Sequence, residues 1–383
     1  MKKILLQITV VVVAMCLILS MSAMAEETTQ PMDTQTATPA TYTLSLEDAI
    51  KLALTDNPQI IANEHTQVGN KYSVTVASSS AKQAKKASVP VGLGSASTIE
   101  EVALKKGYYV SAAKLQQELC IKEKERIAAN ISYQVTNAYY NVVLMDMLVN
   151  DAKNSYTLAL DNKRVIDAQN EQGYVASLTY DNADITVDAA KCELEAYELN
   201  RDIAMRTFKN QINVSHDSTV VLTDKIEIEE FTSDVEKDIK SALETRYDIF
   251  GAKKSLELSE EYLDISDAFT TSSAVYNIAY ADYVTKKYQY DNALKMIDLA
   301  IRSEYNTIVT THSSMKIAER TCNMHLSEYE AAKVQYDLGI ITNLELTEKI
   351  NNLYKSQITY SQAKLNYRMA VEKYKYDITI GLS

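Results

Sequence analysis

The clearest periodicity in the chain lies toward its C-terminal end. Leu346, Leu353, Tyr360, Tyr367 and Tyr374 recur every seven residues. Ile350, Val371 and Ile378 fall on the companion position, which Gln357 and Lys364 interrupt. A seven-residue apolar repeat predicts a helix that supercoils left-handedly against a neighbour. The polar interruptions argue against a dry two-stranded zipper and suit a sheet of helices, each touching a neighbour on both sides. Nearer the start, "LSLEDAIKLALTDNPQI" puts Leu46, Ile50, Ala53 and Leu54 on one helical face. Ser45 with Asp48 three residues on resembles a capping box. Asn57-Pro58 breaks that helix and opens another with proline in its first turn. Thr98 to Glu101 is a further capping box. The pattern behind it predicts one helix reaching about Asn170, roughly 100 Å at 1.5 Å per residue. A helix of that length needs neighbours of similar length, as in a coiled coil or helical tube.

Two glycines punctuate these patterns, at "NEQGYVASLTYDNADI" and "YDLGIITNLELTEKI". Glycine inside a helix costs about 1 kcal/mol against alanine, so both are expected to mark reversals. Four residues after Gly173 and Gly339 stand Ser177 and Asn343, read as N-caps. Glycine at a helix end followed shortly by a cap predicts a tight helical hairpin. The two segments align without gaps: Leu178 matches Leu344, Leu199 matches Leu365, and Asn200 matches Asn366. Upstream, Leu46–Ile60 recurs as Val235–Ile249 at an offset of 189. There Ile50, Lys51, Ala53, Leu54 and Ile60 match Ile239, Lys240, Ala242, Leu243 and Ile249. The two offsets differ by 23, which places about 23 extra residues in the first copy, assigned to Lys85–Glu101. The chain therefore reads as a tandem repeat, 42–222 and 223–383.

Composition agrees with few, long helices. The four prolines stand at 31, 39, 58 and 90, and from residue 108 on the glycines are Gly173, Gly251, Gly339 and Gly381. A β-sandwich or barrel would draw on many more turn residues. The fold class expected is all-α. The ends differ from the middle. Residues 1–25 combine Lys2 and Lys3, the apolar run Ile4–Leu19 and the small-residue site Ala23-Met24-Ala25, which reads as a secretory signal peptide. Residues 26–41 read as a polar, disordered linker. Removing the first 25 residues leaves 37 basic against 51 acidic residues, a formal charge of −14, which gives no reason to seek nucleic acid.

Chemistry-bearing residues are sparse. Cys120, Cys192 and Cys322 are far apart and form no CxxC, so they read as small apolar residues rather than a disulfide framework. Cys322 and His325 could share a helix face, but two ligands do not make a metal site. No GxSxG, HExxH or P-loop is present. "VGLGSAS", Val91–Ser97, lacks the strand and lysine that phosphate binding needs. No enzyme activity, cofactor or metal is expected.

The opening "LSLEDAIKLALTDNP", the two glycine turns, and the returning helices that close on "NQINV" and "ITIGLS" resemble, in that order and twice over, the TolC-type outer-membrane efflux proteins. The resemblance covers about residues 42–383. It implies a homotrimer whose repeated hairpins line up as a hollow, coiled-coil α-barrel. Such a barrel passes substrates from an inner-membrane ABC or proton-driven pump and its periplasmic adaptor across the cell envelope. It further implies that the turns, at Gly173, Tyr174, Val175, Gly339, Ile340 and Ile341, are tips where the adaptor docks. Tyr336 and the acids Glu345 and Glu348 then match pore-constriction positions. Glu345 and Glu348 also lie in a first helical turn, where the macrodipole alone favours acids, and both readings stand. The family's basic residue just after the second glycine is absent and Ile341 stands there, so the resemblance does not extend to a salt-bridged closed state. The family's membrane strands, about ten residues each, find little room here: "SVPVGLGS" is too short, and Ser273–Val284 reads as helix. The alternative function is a non-conducting coiled-coil protein of the envelope, acting as spacer or binding partner.

Overall fold

Why the helices are so long follows from what interrupts them. The structure, a computed structural model, describes residues 41–86, 98–173, 177–228, 230–269 and 273–381. Among them the order is β1 (Thr41–Leu44), α1 (Leu46–Leu54), α2 (Pro58–Lys86), α3 (Ile99–Lys106), α4 (Tyr108–Glu171), α5 (Ser177–Gln211), β2 (Thr219–Leu222), α6 (Val235–Thr245), α7 (Tyr247–Ala268), α8 (Ser273–Asp337) and α9 (Asn343–Asp377). The described chain is overwhelmingly helical, as the scarcity of Gly and Pro predicts. The 64 residues of α4 and 65 of α8 each span about 95 Å.

Three details differ from the sequence reading. The helix expected from Thr98 to about Asn170 is two helices. Gly107 adopts a left-handed φ of 101° and ends α3 before α4 begins. The second difference is a two-stranded parallel sheet, β1 against β2, with Thr41 opposite Thr219 and Leu44 opposite Leu222. Thr41, the last residue of the expected linker, is in β1; the rest of that segment and the expected signal peptide lie outside the described residues. The extra residues of the first half are also spread more widely than Lys85–Glu101. They include α3, and α2 is 29 residues long against 22 for α7.

The helices form a strip. α5 runs antiparallel beside the second half of α4, with Arg201 on Asp146 and Asp184 on Lys163. α2 lies beside its first half, with Glu64 on Lys124 and the Asn70 amide on the Gln116 carbonyl. On the far side α4 meets α7, where Arg126 covers the Tyr247 ring, and then α9, where Tyr133 packs edge-on against Tyr376. α8 closes the strip beyond α7 and α9, with Glu304 on Lys373 and Glu328 on Lys349. So α4 and α8 run the full length, α2 and α5 share one flank of α4, and α7 and α9 lie between the two long helices. The α9 seam behaves as its period predicts: Leu353, Tyr367 and Tyr374 are buried, the two tyrosines in a core shared with α8.

Two large cores hold the strip, and a third, smaller one joins Ile99 and Ala103 of α3 to Ile265 of α7. Of the large cores, one joins Ile131, Val135, Tyr139 and Val142 of α4 to Met205 and Phe208 of α5, to Ile212 just past its end, and to Ala49 and Ala53 of α1. The other joins Ile297, Ile301 and Ile308 of α8 to Val371 and Tyr374 of α9 and to Ile239 and Ala242 of α6. Ile131, Val135, Val142, Met205 and Phe208 stand 166 residues before Ile297, Ile301, Ile308, Val371 and Tyr374. The same spacing separates the starts and ends of α5 and α9. Tyr139 ties the first core to the sheet. Its hydroxyl donates to the Leu44 carbonyl at 3.1 Å and accepts from the amides of Thr223 and Asp224 at 3.1 and 2.9 Å.

Candidate functional site: hairpin tips and open edges

At the second tip α8 ends in a full Schellman arrangement. The Gly339 amide donates to the Tyr336 carbonyl and the Ile340 amide to that of Gln335, both at 2.8 Å. Gly339 takes φ 70° and Gly173 takes φ 74°. A Cβ on either would meet nothing within 4 Å, so the backbone angle alone calls for glycine. At the first tip the Gly173 amide donates to the Asn170 carbonyl. Tyr174 and Val175 lie outside the described residues.

The helix starts after the turns depart from the sequence reading. Asn343 is the first residue of α9, and Thr342 is its N-cap. The Thr342 hydroxyl accepts from the Glu345 amide, and the Glu345 carboxylate accepts from the Thr342 amide and hydroxyl at 2.8 and 2.9 Å. Those bonds hold the Glu345 carboxyl below its ordinary range, the backbone amide foremost. A capping box needs these residue types at this spacing, and Thr342-Asn343-Leu344-Glu345 carries the signal. Ser177 opens α5 as its first residue, so the cap position falls on 176, outside the described residues. Asn343 instead donates to the Asn162 side chain of α4, joining the two hairpins just above their tips.

Tyr336 is partly exposed and Glu348 exposed, with Ile340 68% exposed and Ile341 half-buried. Leu338 and Leu344, which the sequence reading passed over, are as exposed as Ile340. The tip thus presents three large aliphatic side chains to its surroundings, more than a solvated turn needs. At the other hairpin Lys163 bridges Asp167 and Asp184 and lies 4.4 Å from the Tyr180 ring centre.

The long edges carry a second feature. Within the chain α4 and α9 make a covered joint, in which Val143 and Leu365 pack into the first core and Tyr133 meets Tyr376. α8 is the counterpart of α4 and α5 that of α9, each at the 166-residue spacing. Their equivalent faces are open. Val309 is the counterpart of Val143 and is 48% exposed, and Leu199 is that of Leu365 and is 68% exposed. Ile317 and Ile203, counterparts of Asp151 and Met369, are also exposed. The upper edge repeats this. Tyr288 and Ile61, counterparts of Lys122 and Phe250, which touch at 4.9 Å, are both exposed. One edge of the strip is therefore a copy of one side of an internal joint, and the other edge is a copy of the other side.

Elsewhere, a shallow groove of about 440 Å³ between α8 and α9 is lined by residues including Ser314, Thr321, His325, Asn352 and Lys355. His325 sits 3.7 Å from Glu328. Among the described residues no three His, Cys, Asp or Glu side chains come together as metal ligands. Cys120, Cys192 and Cys322 are unpaired. No described helix is long and apolar enough to cross a membrane.

No protein-family model matches the chain. Its architecture is that of outer-membrane channels. It superposes on the CmeC outer membrane channel of Campylobacter jejuni with a TM-score of 0.68 at 14% identity, covering 88% of this chain and 86% of that one. The open-state MtrE outer membrane channel of Neisseria gonorrhoeae gives a TM-score of 0.67 at 11% identity, covering 88% and 89%. In sequence, 282 residues are 21% identical to the toxin and drug export protein A of Aggregatibacter actinomycetemcomitans. That match takes in 70% of this chain but only 56% of the relative's length. The chain has the TolC-type helical channel fold.

Proposed function

We propose that this chain is the exit duct of an efflux or type I secretion system in the cell envelope. Three copies close edge to edge into a hollow α-barrel built from two repeats per chain, 42–222 and 223–383. The duct receives substrate from an inner-membrane ABC or proton-driven pump through a periplasmic adaptor. The observation that carries this reading is the pair of open edges. A strip whose two edges copy the two sides of its own internal joint is completed by further copies of itself in the same orientation, which generates a ring. The likeness to export channels in fold and sequence supports the same reading.

The six tips of such a ring gather at one end. Leu338, Ile340 and Leu344 give that end an apolar rim suited to a protein partner. Tyr336 and Glu348 are the constriction candidates, and Glu345 serves foremost as a cap. Replacing Ile340 and Ile341 by Asp leaves the helices intact, because one side chain is exposed and the other half-exposed. It abolishes capture of the adaptor and export of substrate. Export at the wild-type level by a folded Ile340→Asp/Ile341→Asp variant would contradict tip docking.

One observation favours the second reading, a non-conducting spacer. Twelve residues join α2 to α3 and four join α7 to α8. Two membrane-spanning strands need roughly twenty. A ring that encloses no continuous channel would support the spacer.

A further inference from the structure

We infer that Asp188 of one copy and Arg320 of the next form an ion pair across the joint between copies, and that this pair sets the register of the ring. The inference rests on the ring proposed above. It begins with the open face of α8, where Leu299, Val309, Ile317 and Met324 form an exposed apolar stripe. Arg320 stands in that stripe between Ile317 and Met324. On the open face of α5, Ile185, Leu199 and Ile203 form the facing stripe, with exposed Cys192 between them. Asp188 stands there between Ile185 and Cys192. Both residues are exposed, and neither makes an ion pair among the described residues.

The covered joint supplies the alignment. The Asn343 side chain of α9 donates to that of Asn162 in α4; at the 166-residue spacing this pair maps onto Glu328 and the first residue of α5, and eleven residues further from the tip stand Ile317 and Asp188. In the joint between copies Ile317 is therefore level with Asp188, and Arg320 is one turn nearer the tip. Side chains on a helix lean toward its N-terminus. α8 runs toward the tip and α5 away from it, so Arg320 leans back toward the level of Asp188 while Asp188 leans forward toward Arg320. The two converge. A single charged pair within an apolar seam discriminates against slipped alignments, because a shift by one turn leaves each charge facing an apolar side chain.

Charge reversal tests this by sedimentation over a concentration series, with circular dichroism as the check on folding. Asp188→Arg and Arg320→Asp, made singly, set like charges across all three joints. Each is expected to raise the concentration for half-assembly by at least about tenfold. The double variant, with the pair restored in reverse, is expected to return to within about twofold of wild type. Assembly of wild type should also weaken with added salt. If both single variants assemble like a trimeric wild type, or the double is worse than either single, the pairing is wrong while the ring stands. A wild type that stays monomeric throughout overturns the ring and the pairing together.

Discussion

Tyr139 and Tyr305 are counterparts in the two halves, and they differ by one hydroxyl's work. Tyr139 is fully buried, packs edge-on against Phe208 at 5.7 Å, and holds three backbone groups of the sheet region. Tyr305 meets Tyr374 at 6.4 Å, and its hydroxyl has no hydrogen-bond partner among the described residues. Tyr139→Phe is expected to cost about 1–3 kcal/mol, because it strands part-buried backbone groups. Tyr305→Phe should cost well under about 1 kcal/mol by the same reasoning. Thermal unfolding of the two variants side by side checks this, and equal losses would contradict it. Glu304 carries the second residue-scale prediction. It meets Lys373 at 2.8 Å with Asp377 of α9 and Tyr133 of α4 nearby, and Arg246 reaches Asp377 from the α7 start. Burial first, then the Asp377 carboxyl, pushes its pKa from 4.5 up to about 7. Burial likewise raises Asp151 to about 6. A carboxyl with a raised pKa binds its proton more tightly in the folded chain. Its contribution is present below about pH 4.5 and is lost as the pH rises through about 7. Thermal stability should therefore fall across that window, and Glu304→Gln should flatten the fall. An unchanged slope in the variant would contradict the assignment.

At the scale of elements, the hairpin turns and the α9 seam were legible in the sequence because each rests on a local rule. A left-handed φ selects glycine at 173 and 339, and a seven-residue spacing buries Leu353, Tyr367 and Tyr374. Gly339→Val should strain that turn by about 1–2 kcal/mol with no steric clash to add to it. Its helical signal should be unchanged and its melting temperature lower; a melting temperature equal to wild type would contradict this. What the sequence hid has physical reasons. Gly107 lies in a helical pattern, where a lone glycine is tolerated, so its left-handed break left no mark. β1 and β2 are four residues each and pair across 178 positions, too short for alternation to register and too far apart for any turn signal. Thr342 was passed over for Asn343 because both are good caps, and the Glu345 partner decides between them. Family resemblance and the turn pattern point to Ile340 and Ile341, whereas the exposure of Leu338 and Leu344 shows only in the folded tip. The open edges were not legible at all. Leu199 and Leu365 are identical residues at matched positions, and only packing shows that one is covered and the other bare.

At the scale of the whole molecule, those bare faces define what the chain lacks. A strip of this kind exposes two apolar stripes of complementary origin, and monomeric proteins rarely leave such area uncovered. The proposed ring would bring Leu199 of one copy opposite Val309 of the next, by the alignment that packs Leu365 and Val143 into the first core within the chain. Leu199→Cys with Val309→Cys, in a background with Cys192 and Cys322 replaced by serine, should cross-link between copies to a covalent trimer. Either cysteine alone should not. Electron microscopy of the purified protein tests the hollow three-fold ring most directly. Three-fold tubes, hollow along their length and tapered at the end where six tips meet, are the expected result. Solid rods, open sheets or single strips would contradict it.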